Sequence, residues 1–426
     1  MSARSLRGFY LYDWANSAFA TVILAALLPV YFAEAVVPAG GFRVFGATLS
    51  ATSLWGYASG LSTLLVFLSA PLLGALADAT RSRRRWLLGC FLPGAVATVA
   101  LIAIGPGDVW AALALYVTAG TAFVAANIFY DAFLPGLGDA SERDRISARG
   151  FAWGYAGGGL LFLVDLILIQ AHGSFGLTKE WAVRIALASA GLWWGGFGLV
   201  AWRLMEEPPG AARRTSPAAA LRGTAATFRA VLARPALALF CLAFLFYNDG
   251  IQTVVKMASI YGKDELHLDT GTLLGTLLLV QAVGVPGALL FGRLARGWGA
   301  KRALVLSLVI WLGVVAWGYR LAAAWEFWVL GAAVGFCLGA TQALSRSLYA
   351  RFVPLERSAE YYGFYSVFAK FSAIGGPILF AAIRQATGTA RLSILALGIF
   401  FLLGLILLLA MPGDPALTDP ERASTL

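Results

Sequence analysis

Charged residues, histidines and cysteines are scarce in this sequence of 426 residues. Asp, Glu, Lys and Arg together make up 13% of the chain, whereas a typical soluble domain has about 25%. The two histidines, His172 and His267, lie in separate predicted loops, and each of the three cysteines lies in a different apolar run. This scarcity argues against a metal site, a disulfide framework and a bound cofactor.

Sequence motifs of common enzyme classes are also missing. The sequence has no P-loop, so ATP hydrolysis by this chain is not expected. It has neither HExxH nor GxSxG, which argues against an intramembrane enzyme. A receptor or scaffold would need a sizeable soluble domain, but the longest polar stretch is residues 204–234.

Hydrophobic residues, in contrast, are abundant and concentrated in long runs. They make up 60% of the chain, and the mean hydropathy is +0.77. A membrane-spanning helix needs about 20 mostly apolar residues. Twelve runs meet this requirement, which predicts an all-α integral membrane protein with spans at residues 8–35, 50–77, 84–105, 109–135, 146–171, 182–203, 235–261, 270–295, 301–321, 324–350, 360–385 and 390–411.

The twelve predicted spans divide into two six-helix bundles. Residues 204–234, rich in Arg, Pro and small residues, are typical of a flexible linker; they separate an N-terminal bundle, residues 1–203, from a C-terminal bundle, residues 235–426. Asp13 and Asn16 in span 1 have the same spacing as Asp249 and Gln252 in span 7. Parallel six-helix repeats of this kind are typical of one large class of transporters.

Lysines and arginines are distributed unevenly between the two ends of the spans. Twenty-two of the 32 fall on the side that carries the termini and the linker, seven fall on the other side, and Lys256, Arg346 and Lys370 lie inside spans. The positive-inside rule then predicts cytoplasmic termini and a cytoplasmic linker, in the cell (inner) membrane if the source is prokaryotic. The net charge of +10 comes from these separate clusters, so nucleic-acid binding is not expected.

The segment GALADATRSRRRWLL, residues 74–88, follows span 2. Its glycine would allow another helix to approach closely, and its aspartate lies one turn later at the helix end. A carboxylate there can accept hydrogen bonds from the start of a neighbouring helix or from an arginine, while arginines can anchor in the headgroups. We therefore predict a conformational motif made of Gly74, Asp78, Arg81, Arg84 and Arg85.

This segment resembles the signature of the major facilitator superfamily, which is Gly-x-x-x-Asp followed by a basic cluster. Ala79 replaces a usual basic residue, and the counterpart at residues 292–302 has Arg296 where the acid would be. With the twelve spans and the six-helix repeat, the resemblance implies the two-bundle fold of that superfamily, in which spans 1, 4, 7 and 10 line a central cavity.

A narrower resemblance lies in YDWANSAFAT (residues 12–21), FAWGYAGGGL (151–160) and FLFYNDGIQTV (244–254). These segments are similar to the vacuole-effluxer branch of the superfamily. Its fungal members are autophagy-related amino-acid exporters, and its bacterial members largely have no assigned substrate. The resemblance covers most of the chain and implies export of a small solute.

Polar residues inside spans are the candidates for a solute and coupling site, because a charge within the bilayer is costly and is usually functional. Asp249, Gln252 and Lys256 follow an i, i+3, i+7 spacing, so we expect one shared helix face that lines the cavity. The other candidates are Asp13, Asn16, Asn127, Asp131, Gln342, Arg346 and Lys370. The alternatives are a structural contact for Asp249, an interfacial position for Asp13 and snorkelling to the headgroups for Arg346.

These features predict a secondary active transporter that moves a small polar solute by alternating access, with proton-coupled efflux as the preferred mode. A cavity with both Asp249 and Lys256 would suit a zwitterion, so an amino acid is one candidate. The alternative is a proton-coupled exporter of another small metabolite or drug, and a receptor or scaffold without transport activity is the alternative from a different class. The expected partners are the solute, protons or another coupling ion and the lipid bilayer, and we expect a monomer.

Overall fold

The computed structural model describes residues 2–207 and 216–412, and these residues are almost entirely helical. Within these ranges, twelve helical stretches are long and apolar enough to cross a membrane, which confirms the predicted number of spans. The largest boundary difference is at span 5, which begins at Ala140 and not at residue 146. Asp139 and Glu142 form a capping box there, so the helix extends beyond the apolar run into polar residues.

The first half of the chain contains spans 1 to 6. Span 1 runs from Ala3 to Val36 and includes a π-helical stretch, Phe19–Ala26, between its two α-helices. A hairpin of strands β1 (Phe42–Val44) and β2 (Ala47–Leu49) connects spans 1 and 2. The helices of this half are α1 (Ala3–Ala18), α2 (Leu27–Tyr31), α3 (Ala51–Thr80), α4 (Arg83–Ala100), α5 (Val109–Asp131), α6 (Ala140–Gln170) and α7 (Lys179–Leu204).

The second half contains spans 7 to 12, and two of its spans are interrupted. Span 11 consists of α13 and α14, which are separated by residues 372–374, and span 12 consists of α15 and α16. The helices after the first half are α8 (Pro217–Ala233), α9 (Pro235–Leu266), α10 (Thr270–Trp298), α11 (Ala300–Arg320), α12 (Ala324–Ala350), α13 (Ser358–Phe371), α14 (Gly375–Thr387), α15 (Ala390–Ala396) and α16 (Gly398–Ala410).

The linker is more ordered than the sequence suggested. We expected a flexible segment over residues 204–234, but residues 217–233 form helix α8. This segment is rich in alanine, which has the highest helix propensity, and it packs against α3, α9 and α13. Phe228 contacts Phe364 of α13, with ring centroids 5.6 Å apart. The expectation of a flexible linker is therefore wrong for these residues, and residues 208–215 lie outside the described part.

Each half is held together by helices that approach closely at small residues. In the first half α1 packs against α6 and α7, and in the second half α10 packs against α12, while α9 packs against α16. A Cβ atom on Gly157 of α6 would lie 2.5 Å from the carbonyl oxygen of Trp14, and one on Gly287 of α10 would lie 2.3 Å from that of Phe336. Only glycine allows these helices to pack at such distances.

The two halves contact each other on one side of the membrane. We call this side the linker face, because α7 ends there at Leu204 and α9 begins there at Pro235. Hydrogen bonds and ion pairs between spans of the two halves lie between the linker face and the middle of the spans, as those of Arg83 with Leu355, Ser147 with Ala343 and Arg346 with Asp13 do. The deepest of them joins Thr21 to Gln281. The structure is therefore a conformer that is closed at the linker face.

Candidate functional site

A buried ion cluster joins the two halves towards the linker face, where Asp131 is the last residue of α5. Arg346 of α12 forms salt bridges with Asp13 of α1 and Asp131 of α5, each with an N–O distance of 3.1 Å. Arg346 is 3% exposed and Asp13 is 5% exposed. The alternative of a snorkelling Arg346 is therefore wrong, because its side chain is buried against the opposite half. Asp13 is likewise buried against the opposite half.

Neighbouring side chains fix the geometry of this cluster. The Arg346 Nε donates to the hydroxyl of Ser147 at 3.0 Å, and its guanidinium lies over the ring of Phe151 at 4.2 Å from the centroid. The hydroxyl of Tyr130 donates to Asp13 at 2.6 Å. One guanidinium faces two carboxylates, so the cluster has a formal charge of −1 when both are ionised. A buried arrangement of this kind is stable only if its hydrogen bonds are satisfied.

A glycine makes room for the cluster. A Cβ atom on Gly150 of α6 would lie 2.2 Å from the Asp13 Oδ2 and 2.9 Å from an Arg346 nitrogen. No side chain could occupy this position without displacing the carboxylate. The backbone of α6 therefore approaches the ion pair directly.

A polar pocket lies beside the cluster, between the two halves. Its volume is about 250 Å³, and it is lined by five of the predicted residues, which are Asn127, Asp131, Gln252, Gln342 and Arg346. Sequence analysis missed other lining residues, which include Tyr247, Asn248, Ser345, Tyr365 and Ser366. The alternation of polar and aromatic residues along α9 and α13 could have indicated them. Amides, hydroxyls and aromatic rings suit a small polar molecule.

Hydrogen bonds orient the polar groups of the pocket. The Asn16 side chain donates to the Asn127 carbonyl oxygen at 2.6 Å, and the Tyr155 hydroxyl donates to Gln342 at 2.8 Å. Asn16 is not among the lining residues but holds Asn127 in place. Among the described residues, no group of His, Cys, Asp or Glu side chains is arranged as metal ligands would be.

Asp249 does not line this pocket, which corrects the expectation of one shared face with Gln252 and Lys256. Its carboxylate accepts a hydrogen bond from the backbone N–H of Gly376 at 2.9 Å. Helix α14 begins at Gly375, and the first N–H groups of a helix have no partner within that helix. Asp249 is thus a cap supplied by another span. Successive residues of a helix are rotated by about 100°, so Asp249, Gln252 and Lys256 spread over roughly 60° around α9. This spread is enough for Asp249 to face α14 while Gln252 faces the pocket.

The break in span 11 has further contacts with α9. The Asn248 side chain donates to the Ser372 hydroxyl at 2.5 Å. A Cβ atom on Gly376 would lie 2.0 Å from the Thr253 hydroxyl oxygen and 2.9 Å from an Asp249 carboxylate oxygen. Asn248 and Asp249 therefore hold the two ends of the interruption. This arrangement supports the structural alternative for Asp249.

Lys256 and Lys370 also lie outside the pocket lining. Lys256 is exposed and Lys370 is half-buried. In the described ranges neither lysine forms a salt bridge, so neither is paired with Asp249 in this conformer.

The predicted motif after span 2 forms a contact between the halves at the linker face. Asp78 accepts a hydrogen bond from the Arg83 Nε at 3.0 Å and from the backbone N–H of Glu360, in the first turn of α13, at 2.9 Å. These are the two kinds of partner expected for it, an arginine and a helix start. A Cβ atom on Gly74 would lie 2.3 Å from the Ala359 carbonyl oxygen, so the glycine is required for this approach.

The arginines of the motif differ in their roles. Arg83, which sequence analysis did not select from its cluster, is 2% exposed and also donates to the Leu355 carbonyl oxygen at 2.6 Å. Arg84 stacks on Trp202 within the first half, 4.9 Å from the ring centroid. Arg85 is exposed, and Arg81 ends α3 with a positive φ of 50°. Arg83 is therefore an arginine of this cluster that joins the halves.

Twelve spans in two halves, with a polar pocket and buried charges between them, define the class of major facilitator superfamily transporters. Their fold is not that of an enzyme. The human organic anion transporter MFSD10 (TETRAN) has a similar structure, with a TM-score of 0.68 at 17% identity over 96% of this chain and 100% of that one. At this identity the likeness concerns the fold.

The chain belongs to the family described as "Vacuole effluxer Atg22 like", whose profile matches residues 1–419. It is 31% identical to the uncharacterized MFS-type transporter YxiO of Bacillus subtilis, over 98% of this chain and 96% of that protein. It is also 24% identical to autophagy-related protein 22 of Yarrowia lipolytica, over 92% of this chain and 79% of that protein. The protein is therefore a multi-pass membrane transporter of this family.

Proposed function

We propose that this protein exports a small polar solute by alternating access, with the solute bound in the pocket between α5, α9, α12 and α13. The observation that carries the proposal is the pocket of about 250 Å³ at the junction of the two halves, lined by amides and hydroxyls beside a buried ion cluster. The excess of arginine and lysine at the linker face supports a cytoplasmic location for that face. The conformer described here is then outward-facing.

We infer that the moving units are the two bundles, residues 1–203 and 235–426, joined by residues 204–234. Helices α3 and α13 contact each other across the halves, as do α6 and α10. These contacts would separate when the linker face opens, while the contacts within each half would remain. A single chain contains the whole pocket, so a monomer is sufficient for transport.

The ion cluster supplies a mechanism for proton coupling. Arg346 belongs to the second half, whereas both of its carboxylate partners belong to the first. Opening the linker face would therefore leave two neighbouring carboxylates without a cation. Such groups take up a proton or bind another cation. Asp131 lines the pocket with 18% of its side chain exposed, so a proton and a cationic group of the solute would compete for it. This competition is the basis for an exchange of protons against solute.

An amino acid is the solute class that we favour. Its ammonium group would bind Asp131, and its carboxylate would accept hydrogen bonds from the amides of Asn127 and Gln252. This assignment replaces the pairing of solute groups with Asp249 and Lys256, because Asp249 caps α14 in the structure.

The test uses proteoliposomes loaded with an equimolar mixture of the common amino acids. Release of each amino acid is measured by mass spectrometry, with and without an imposed pH gradient. We expect gradient-dependent release by the wild type and its loss in Asp131→Asn. The matched control is Asp165→Asn, because Asp165 is a buried carboxylate of α6 that accepts from Ser189 at 2.9 Å, outside the pocket.

Each other outcome counts against part of the proposal. Flux of other metabolites but of no amino acid would favour the exporter of another small metabolite or drug. Absence of any solute flux would favour a receptor or scaffold. Normal pH dependence in Asp131→Asn would remove this carboxylate from the coupling mechanism.

A further inference from the structure

A second cavity lies between α6 and α10 near the linker face, apart from the pocket. Its volume is about 350 Å³, and four arginines line it. Arg145 and Arg149 come from α6 in the first half, and Arg293 and Arg296 come from α10 in the second. Nothing in the transport mechanism proposed above uses these residues.

The cavity has a large excess of positive charge. In the residues described, the one carboxylate within salt-bridge distance of these arginines is Glu142, which lies 4.0 Å from Arg145 and is about half exposed. Asp144 of the same helix is engaged by Arg351 at 2.6 Å. Arg149 lies beside the phenol of Tyr10. The positive-inside rule accounts for basic residues at this face, but it does not account for their convergence on one cavity from both halves.

The surroundings of the cavity place it at the surface of the bilayer. Its wall includes the apolar residue Leu289. The neighbouring large side chains Leu290, Trp153 and Trp298 are 42%, 48% and 54% exposed, and tryptophans are enriched where apolar lipid meets the headgroups. The arginines lie near the first turns of α6 and the last turns of α10, so their guanidinium groups reach headgroup depth.

We propose that this cavity binds the phosphate of an anionic phospholipid. Guanidinium groups bind phosphate oxygens through paired hydrogen bonds, and basic pockets between spans on the cytoplasmic side suit lipid headgroups. The apolar residues beside the arginines contact the acyl chains. Free inorganic phosphate offers the same oxygen atoms but no acyl chain, so the two ligands can be distinguished.

The bound lipid also favours one conformer. Helices α6 and α10 meet beside the cavity, where a Cβ atom on Gly292 would lie 2.4 Å from the Cβ of Ala148. Closing the linker face brings the four like charges together, and these repel each other. An anion between them offsets this repulsion and stabilises the closed face. This consequence rests on the proposed alternating access, whereas the binding itself does not.

The experiment measures lipid binding to the purified full-length protein by native mass spectrometry. Phosphatidylglycerol is titrated against phosphatidylcholine for the wild type and for Arg149→Gln/Arg293→Gln. We expect the wild type to prefer phosphatidylglycerol and the variant to bind it about tenfold more weakly or worse. A second variant, Arg145→Gln/Arg296→Gln, removes the other two arginines and is expected to show the same loss.

The matched control is Arg7→Gln/Arg302→Gln, which removes one exposed arginine from each half at the same face. It is expected to bind phosphatidylglycerol as the wild type does. An equal loss in the control would mean general surface attraction and would overturn the proposal. Displacement of the lipid by inorganic phosphate at low millimolar concentration would identify free phosphate as the ligand and would overturn it as well. These measurements require no transport, so their failure is separate from failure of the proposed function.

Discussion

Replacing Arg346 by glutamine is expected to open the linker face without unfolding either half. The substitution removes the one guanidinium that neutralises Asp13 and Asp131, at 3.1 Å from each. Leaving a buried charge without its partner costs about 3–5 kcal/mol. Both carboxylates belong to the first half, and opening lets water reach them. The preference for the closed conformer should therefore fall by about 10²- to 4 × 10³-fold, at roughly 1.4 kcal/mol per factor of ten.

The assay measures the distance between spin labels at Ser141 and Glu356, two exposed positions at the linker face in opposite halves. The three native cysteines are replaced by serine beforehand. We expect the distance distribution of Arg346→Gln to shift to longer values. The control is Arg184→Gln, because Arg184 pairs with Glu180 within α7 of the first half. An unchanged distribution in Arg346→Gln, with the protein folded, would refute the assignment of the cluster as the contact that holds the halves together.

Three further predictions test the other contacts. Asp78→Asn should also lengthen the distance between these labels, because it weakens the hydrogen bonds from Arg83 and from the first turn of α13. An unchanged distance would mean that the motif only sets the orientation of the spans in the membrane and does not hold the halves together. Asp249→Ala should lower stability by about 1–2 kcal/mol through loss of a helix cap, measured by thermal unfolding in detergent, whereas Asp249→Asn keeps an acceptor and should lose less; equal losses would contradict the capping role. Reporters inserted at Gly46 and fused after Ser216 should read as extracytoplasmic and cytoplasmic, respectively, and the same reading at both sites would contradict the orientation.

The spans and the motif at Asp78 could be predicted from the sequence because their signals are local. A run of about 20 apolar residues identifies a span wherever it packs. The carboxylate of Asp78 needs a helix start and an arginine, and the Gly-x-x-x-Asp spacing places it where both are available. Arg83 was harder to select, because the arginines beside it have the same local signal, and only packing against the second half distinguishes it.

The ion cluster, and the contact of the Asp249 carboxylate with α14, could not be predicted from local signals of this kind. Arg346 lies 333 residues from Asp13 and 215 from Asp131 along the chain, so their meeting depends on how the halves pack. The Asp249 carboxylate contacts α14 only because span 11 is interrupted and a new helix begins there. Gly375 and Gly376 followed by Pro377 were a signal for that interruption, since proline favours the first turn of a helix. A new helix start within the membrane requires an acceptor, and the carboxylate of Asp249 provides one.

The capped start of α14 restricts what this transporter can recognise. In transporters with interrupted helices, a half-helix start commonly serves as the binding site for an anionic group of the substrate. Here the protein supplies that anion itself, since the Asp249 carboxylate occupies the Gly376 N–H. A tethered ligand has a high effective concentration, which a free solute at ordinary concentration does not match. The start of α14 is thus occupied by the protein's own carboxylate, and in the proposed mechanism the side chains of α5, α9, α12 and α13 select the solute.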